Sequence, residues 1–238
     1  MKLEIVDYRK LRPNNINSEQ FRHVWLLLFW PIFGILFMGV ERLGFNSGYT
    51  PVYCALDDVI PFCELFVIPY LFWFVYLTGV VVFTLFFDAE AFKRVMWYII
   101  ITYTITIVIY LVYPTCQELR PASFERDNLF TRFMAGFYEF DTNTNVFPSL
   151  HVIGSVASMF GFCDSKYFKK SVGWKVGNVI VTILISLSTV FLKQHSILDV
   201  IGAIPICLLA WYMVYRPGNV FAKVASRLMW QKRELQDM

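Results

Sequence analysis

Charged residues are scarce in this chain. Asp, Glu, Lys and Arg make up 16% of its 238 residues, whereas hydrophobic residues make up 57% and aromatic residues 18%. A typical soluble domain has about 25% charged residues, so the composition disfavours that class of protein. The sequence also lacks internal repeats and low-complexity tracts. We therefore expect a single domain over residues 1–238 rather than a repeat array or a disordered linker.

Cysteine is also sparse, and its spacing indicates no site. The five cysteines include no Cys-x-x-Cys pair, and packing as small apolar side chains is the preferred interpretation. A disulfide between Cys54 and Cys63 stays open as the alternative. The external acidic residues follow no metal-loop pattern, so we interpret them as a solvated surface without a metal site. These acids are Asp57, Asp58, Asp127, Glu139 and Asp141.

Long apolar runs dominate the rest of the chain. A helix needs roughly 20 apolar residues to cross a membrane. Six segments approach that length: 23–43, 64–87, 95–114, 149–163, 176–193 and 196–215. The fourth is short, and the fifth and sixth nearly touch. We therefore predict an all-α, multi-pass integral membrane protein, a helix bundle with about six transmembrane helices.

Positive charge is distributed unevenly between the connecting segments. With the N-terminus in the cytoplasm, 16 of the 21 Lys and Arg residues lie inside and 5 outside, so the positive-inside rule predicts that both termini are cytoplasmic. Residues 1–22 then form a cytoplasmic N-terminus, and residues 216–238 form a basic amphipathic tail. Residues 115–147 form an extracytoplasmic loop. Within it, the spacing of Leu129 and Phe133 predicts an amphipathic helix, either a lid beside a site or a packing helix over the span ends.

Two of the three histidines lie in short polar segments at the ends of apolar runs, residues 147–151 and 193–199. Because positions i and i+4 share a helix face, Asp199 is expected to hold one ring nitrogen of His195 protonated. The other nitrogen is then free to act as a nucleophile or base. The predicted topology places both segments, and Arg120, at the extracytoplasmic face. A transporter, which needs ionisable groups along a mid-membrane pathway, is disfavoured by this one-sided clustering.

These segments contain the groups that phosphate chemistry requires. Ser149 stands at the head of the fourth span, where its hydroxyl and free backbone N–H groups are expected to bind an anion. Arg120 has a planar fork that fits phosphate bidentately, and Lys193 brings a second cation. We expect His195 to attack phosphorus while His151 protonates the leaving oxygen.

The order and spacing of these motifs resemble the type-2 phosphatidic acid phosphatase superfamily. Its three motifs match Arg120-Pro121, then Pro148, Ser149 and His151, then Ser188, His195 and Asp199. The resemblance covers residues 113–199, and the six spans extend it to most of the chain. It implies hydrolysis of a lipid phosphate monoester or diphosphate at the extracytoplasmic face, without metal or cofactor, through a phosphohistidine on His195. Ser188 is then a phosphate-binding residue, unless its hydroxyl only bonds its own helix backbone.

The chain departs from the family pattern at three positions. Tyr113 and Thr189 stand where the family has a lysine and an arginine, and Leu150 stands where it has a glycine. We hypothesise that Lys193, four residues after Thr189 on a continuing helix, replaces the lost arginine. The sequence at 147–151 also resembles the inositol-phosphorylceramide-synthase branch, so transfer of a phosphoryl headgroup to a second lipid or alcohol is the alternative to hydrolysis. The expected partners are a lipid phosphate substrate and membrane lipids, with no nucleic acid.

Overall fold

The computed structural model describes residues 6–42, 48–216 and 218. These ranges contain eight α-helices: α1 (Phe29–Arg42), α2 (Leu56–Val59), α3 (Val67–Phe87), α4 (Ala89–Val112), α5 (Leu129–Phe140), α6 (Leu150–Asp164), α7 (Val172–Phe191) and α8 (Ile197–Val214). Single 3-10 segments precede α1 and α3, at Arg22–Leu28 and Glu64–Phe66. Two short strands, β1 (Thr50–Pro51) and β2 (Thr115–Cys116), pair in parallel. Most of the predicted tail at 216–238 lies outside the described residues.

Five helical segments are long and apolar enough to cross a membrane: Arg22–Arg42, Glu64–Phe87, Ala89–Val112, Val172–Phe191 and Ile197–Val214. The 15-residue α6 is apolar but shorter, as its sequence indicates. The prediction of an all-α membrane helix bundle is therefore confirmed. α4 begins six residues earlier than predicted because the Asp88 carboxylate accepts a hydrogen bond from the Ala91 N–H and caps the helix there.

α6 lies at the centre of the bundle and packs against α3, α4, α7 and α8. Five of its seven buried residues are Gly, Ala or Ser, which let the neighbouring helices approach closely. A Cβ atom at Gly154 would lie 2.7 Å from the Tyr103 hydroxyl oxygen and 2.8 Å from the Trp73 indole nitrogen. A Cβ atom at Gly161 would lie 2.6 Å from a methyl group of Val80. The bundle can therefore close around α6 only because these positions are glycine.

α5 covers one end of two apolar helices, α3 and α7. Asn128 caps it through a reciprocal pair of hydrogen bonds with Thr131. Met134 is fully buried against Tyr70 of α3 and Leu192 at the end of α7. The opposite side of α5 exposes apolar side chains, including Leu129, Phe133 and Phe140. The helix is amphipathic, and its buried face packs over the ends of α3 and α7. This is the packing role that was predicted from the sequence as the alternative to a lid.

The five cysteines are all free thiols, so the alternative of a disulfide between Cys54 and Cys63 is wrong. Each of the two is partly buried. The Cys63 N–H donates to the carbonyl of Phe191, which ties the start of the α3 segment to the end of α7. The Cys54 N–H donates to the Asp57 carboxylate. Both residues therefore shape the segment at 54–63 through their backbone.

Gly202 of α8 faces the Phe147 ring, immediately before the start of α6. A Cβ atom there would overlap that ring, so we expect Gly202→Ala to displace the segment that carries the α6 N-terminus. Overpacking of this kind costs about 1–3 kcal/mol of the free energy of unfolding, measurable as a lower midpoint of thermal unfolding in detergent. Gly79→Ala is the matched control, because no atom lies within 4 Å of its Cβ position. Equal midpoints for the two variants would contradict the expected overlap.

Candidate active site

A cavity of about 80 Å³ lies where α1, α3, α4 and α6 meet two connecting segments at one end of the bundle. One segment is residues 141–146, and the other is the turn between α7 and α8. The volume is several times the roughly 15 Å³ that a single water requires. His151 and His195 both line it, together with the carboxylates of Glu41 and Asp141. The fold thus joins two polar segments that are distant in sequence.

His195 and Asp199 are paired as their spacing predicts, but through a different local structure. The Nδ1 atom of His195 lies 3.0 Å from the Asp199 carboxylate. α8 begins only at Ile197, so His195 precedes the helix, and Ser196 is its N-cap. Asp199 accepts the Ser196 N–H at 3.0 Å and completes a capping box. One fully buried carboxylate therefore caps the helix and orients the imidazole, and Nε2 is the ring nitrogen left for chemistry.

His151 stands in the first turn of α6, close to His195. The centroids of the two rings are 5.9 Å apart. The ring of His151 stacks on Tyr70 and contacts Trp73, each with a centroid distance of 4.4 Å, and these contacts fix its orientation. Its buried Nε2 has no hydrogen-bond partner among the described residues. An unsatisfied buried polar group costs about 1–3 kcal/mol, so this nitrogen is suited to a partner that enters the cavity.

Ser149 caps α6 without using its side chain. Its N–H donates to the Asp199 carbonyl at 3.2 Å, which joins the starts of α6 and α8. Its hydroxyl is fully buried, and no partner for it exists in the described part of the chain. The helix begins at Leu150, where first-turn N–H groups have no intrahelical acceptor. A free hydroxyl beside free backbone donors is a suitable arrangement for an anion.

Arg120 does not offer the free fork that the sequence predicts. Its Nη1 donates to the carbonyls of Tyr138 and Asp141, at 3.0 and 2.9 Å. Its Nη2 donates to the Thr142 carbonyl at 2.9 Å and to Oε1 of Gln194 at 2.7 Å. Both terminal nitrogens are therefore engaged, and only the buried Nε–H is left unpartnered within the described residues. The bidentate contact with phosphate stays a prediction, and this arrangement does not support it. Burial lowers the pKa of the guanidinium from its ordinary value, and Arg120 instead positions Gln194 and the loop after α5.

Lys193 also lies away from the cavity. α7 ends at Phe191, and Lys193 has a left-handed backbone with φ of 52°. The predicted continuation of the helix is therefore wrong. The ammonium donates to the carbonyls of Asp57 and Ile60 at 2.6 and 2.5 Å, and burial lowers its pKa. Lys193 thus holds the 57–60 loop against the turn that carries His195. Its replacement of the lost arginine stays a prediction, which this position does not support.

Ser188 follows the second of its two sequence interpretations. Its hydroxyl donates to the carbonyl of Ile185 at 2.6 Å, within its own helix. It is fully buried and is not part of the cavity wall. The predicted contact with phosphate therefore has no support from its position.

Asp57 is a supporting residue that sequence reasoning missed. It is 1% exposed, so its interpretation as a solvated acid is wrong. Its carboxylate accepts the Ser196 hydroxyl at 2.6 Å and the Ile197 N–H at 2.9 Å. Together with its carbonyl contact to Lys193, this fixes the residues on both sides of His195. No feature of the sequence links the 57–60 loop to the 193–199 segment.

Glu41, at the end of α1, is the second missed residue. Its carboxylate accepts hydrogen bonds from the hydroxyls of Thr142 and Thr144 and from the Asn145 side-chain amide, the last at 2.8 Å. These bonds hold the segment that leads into α6. Two features of the sequence could have indicated this contact: an acid at the end of an apolar span, and a run of Thr and Asn just before α6. Gln194, whose buried Nε2 also lacks a partner among the described residues, completes the polar wall.

Comparison with known proteins assigns the fold to one family. A family model described as the PAP2 superfamily matches residues 41–213, which is well over half of the chain. The matched range includes both histidines, Asp199 and the cavity residues from Glu41 onward. Searches of curated proteins and of solved structures returned no match.

Proposed function

The chain belongs to the PAP2 superfamily, and on that premise we propose that it cleaves a lipid phosphate ester through a phosphohistidine on His195. The superfamily consists of phosphatases and phosphotransferases that act on lipid phosphates. Water is the acceptor in the leading form of the proposal. The cavity lies on the extracytoplasmic side in this proposal, since the distribution of Lys and Arg favours cytoplasmic termini.

The observation that carries the proposal is the pairing of the two imidazoles. Asp199 engages Nδ1 of His195 at 3.0 Å, so Nε2 carries the lone pair when the ring is neutral. His151 presents an unpartnered Nε2 from the described wall of the same cavity. A nucleophile held by a carboxylate, with an acid–base group beside it, is the arrangement that covalent catalysis needs.

The reaction proceeds in two balanced steps. In the first, Nε2 of His195 bonds to phosphorus as the bond from phosphorus to the lipid oxygen breaks, and His151 protonates that oxygen. Asp199 stabilises the positive charge that develops on the imidazole. In the second, His151 removes a proton from water, the water oxygen bonds to phosphorus, and the nitrogen–phosphorus bond breaks. Phosphate leaves and both histidines return to their starting states.

Charge on the phosphoryl oxygens requires donors in both steps. The Ser149 hydroxyl and the Nε2 group of Gln194 are buried, and neither has a partner within the described residues. Gln194 lines the cavity, and Ser149 immediately precedes the wall residue Leu150. The first-turn N–H groups of α6 add backbone donors and the positive end of the helix dipole. Donors fixed before the reaction stabilise the transition state without reorganisation at the moment of bond breaking.

Headgroup transfer to a second alcohol is the other candidate, and one observation favours it. Within the described cavity wall, Glu41 and Asp141 are present but no Lys or Arg is found. A phosphate monoester or diphosphate carries two or more negative charges, which this wall compensates poorly. A phosphodiester carries one. The lipid that donates the phosphoryl group is then a phospholipid, and either water or an alcohol accepts it.

The proposal is tested with detergent-purified protein in EDTA. Phosphatidic acid, a polyprenyl diphosphate and a set of diester phospholipids are supplied with labelled phosphorus, and both released product and protein-bound label are measured. We expect protein-bound label that is lost in acid and stable in alkali, as a phosphorus–nitrogen bond is. Label that resists acid, or turnover that never passes through labelled protein, contradicts the His195 intermediate.

A further inference from the structure

We propose that the cavity selects a phospholipid whose headgroup carries a primary ammonium, joined through a singly charged phosphodiester. This inference rests on the proposed function and names its substrate class. It is the chemistry found in phosphoethanolamine headgroups. The argument comes from the charges and the unpartnered polar atoms of the cavity wall.

The first observation is the sign of the charge around the cavity. Glu41 and Asp141 both line it, and the described wall contains neither Lys nor Arg. The two nearby cations are committed elsewhere. Arg120 donates four hydrogen bonds, to three backbone carbonyls and to Gln194. The ammonium of Lys193 donates to two carbonyls of the 57–60 loop. Apart from the histidines and tyrosines, the two carboxylates are therefore the ionisable groups of the described wall, and the Arg120 guanidinium lies close by, 4.0 Å from Asp141.

The second observation is an acceptor that has no donor. Asn145 lines the cavity, and its buried Oδ1 has no hydrogen-bond partner in the described ranges. Asn145 is only 3% exposed and has a left-handed backbone with φ of 53°. Its Nδ2 is fixed on Glu41, which settles which side-chain atom is left over. An unpaired buried acceptor beside two carboxylates requires a ligand that donates hydrogen bonds.

The third observation is the position of Asp141. Its side chain is 42% exposed, and its nearest cation is Nη2 of Arg120, at 4.0 Å. Burial raises the pKa of the Asp141 carboxyl from its ordinary value, and the positive charge of Arg120 opposes this shift. A ligand ammonium next to this carboxylate would favour its ionised form further. A neutral hydroxyl would add no charge.

The polar atoms of the cavity thus separate into two kinds. Gln194 offers a free amide donor and the α6 N-terminus offers backbone donors, which suit the phosphoryl oxygens. Asp141, Asn145 and Glu41 offer acceptors, which suit N–H groups. A primary ammonium satisfies both the charge and the hydrogen bonds. A quaternary ammonium has no N–H group and leaves Oδ1 of Asn145 unpaired, and a polyol leaves the carboxylate charge unbalanced.

The chemistry balances with water as the only co-reactant. His195 bonds to phosphorus as the diacylglycerol oxygen leaves with a proton from His151, and the phosphoethanolamine group stays on the imidazole. Water then bonds to phosphorus as the nitrogen–phosphorus bond breaks, and the proton of the water passes to His151. The products are diacylglycerol and phosphoethanolamine. With an alcohol acceptor the second product is a new phosphoethanolamine ester.

The test compares phospholipids with identical acyl chains and different headgroups: ethanolamine, choline, inositol, glycerol and none. Diacylglycerol release by purified protein is measured for each. We expect kcat/KM for the ethanolamine lipid to exceed the others by about tenfold or more, the range for one charge-assisted hydrogen bond. In Asp141→Asn this preference should fall by about tenfold to a hundredfold. Glu139→Gln, an exposed acid on α5 outside the cavity wall, is the matched control and should keep the preference.

Binding of soluble glycerophosphoethanolamine, a singly charged diester, measured by calorimetry on the wild type and on His195→Ala, separates this inference from the proposed function. Tighter binding than that of glycerophosphocholine, glycerophosphoinositol or inorganic phosphate supports the inference even without turnover. Equal or weaker binding overturns it, as does an unchanged preference in a folded Asp141→Asn. His195-dependent cleavage of phosphatidic acid or of the inositol lipid in preference would leave the proposed function standing and this inference refuted.

Discussion

Replacing His195 with alanine should abolish lipid cleavage, lowering kcat by about 10⁴-fold or more. The proposed covalent intermediate forms on this side chain, and removal of a nucleophile leaves only the contribution of binding and of transition-state donors. The Asp199 carboxylate loses its ring partner but keeps the Ser196 N–H, so the start of α8 should remain folded. Release of diacylglycerol or phosphate from labelled lipid measures the effect, with the midpoint of thermal unfolding as the check on folding.

The third histidine provides a matched control. His23 is buried near the opposite ends of the helices, where its Nε2 lies 2.6 Å from the Tyr8 hydroxyl. It has no contact with the cavity that holds the other two, so His23→Asn should lower stability without abolishing turnover by the folded protein. Comparable inactivation of both variants would mean that His195 acts through the fold. Residual His195→Ala activity within about tenfold of the wild type would show that His195 is not the nucleophile.

The helix bundle could be predicted because its signal is local. Runs of about 20 apolar residues are visible without any knowledge of their neighbours, and the spans at 64–87 and 196–215 agree closely with the helices. The pairing of His195 with Asp199 was predictable for the same reason, since it lies within five consecutive residues. Even there, the actual cause is a capping box and not the shared face of a continuous helix.

The supporting contacts could not be read from the sequence because they depend on where turns place long side chains. Lys193 points to the 57–60 loop because α7 ends at Phe191 and the backbone becomes left-handed. Arg120 is enclosed by carbonyls that become available only where α5 ends. Asp57 and Glu41 act across more than 100 residues of chain. Their partners are Ser, Thr and Asn residues, which carry no distinctive pattern.

These contacts change how the missing motif cations are interpreted. Loss of a lysine and an arginine at Tyr113 and Thr189 looked like a defect that Lys193 repaired. In the structure the positive charge is instead used to build the loops, and Glu41 and Asp141 face the cavity. The site is therefore less cationic than phosphate chemistry alone would favour. This difference is the physical reason to expect a singly charged diester in preference to a phosphate monoester.

His151→Gln should separate the two chemical steps. On a lipid substrate we expect kcat to fall by about 10²–10⁴-fold, because the leaving oxygen no longer receives a proton. A 4-nitrophenyl phosphate ester needs no such proton, so His195 should still attack it. Water, however, still lacks its general base. The expected result is a burst of about one nitrophenolate per enzyme, followed by a slow steady state while phosphohistidine accumulates.

Rapid mixing with absorbance detection measures this burst, and acid-labile labelled protein identifies its cause. The matched comparison is His195→Ala, which should give no burst, because the activated ester removes the need for an acid but not for a nucleophile. The ring of His151 also packs on Tyr70 and Trp73, so a purely structural role would reduce both substrates equally and give no burst. A burst in His151→Gln that is absent from His195→Ala would therefore assign acid–base work to one histidine and covalent work to the other.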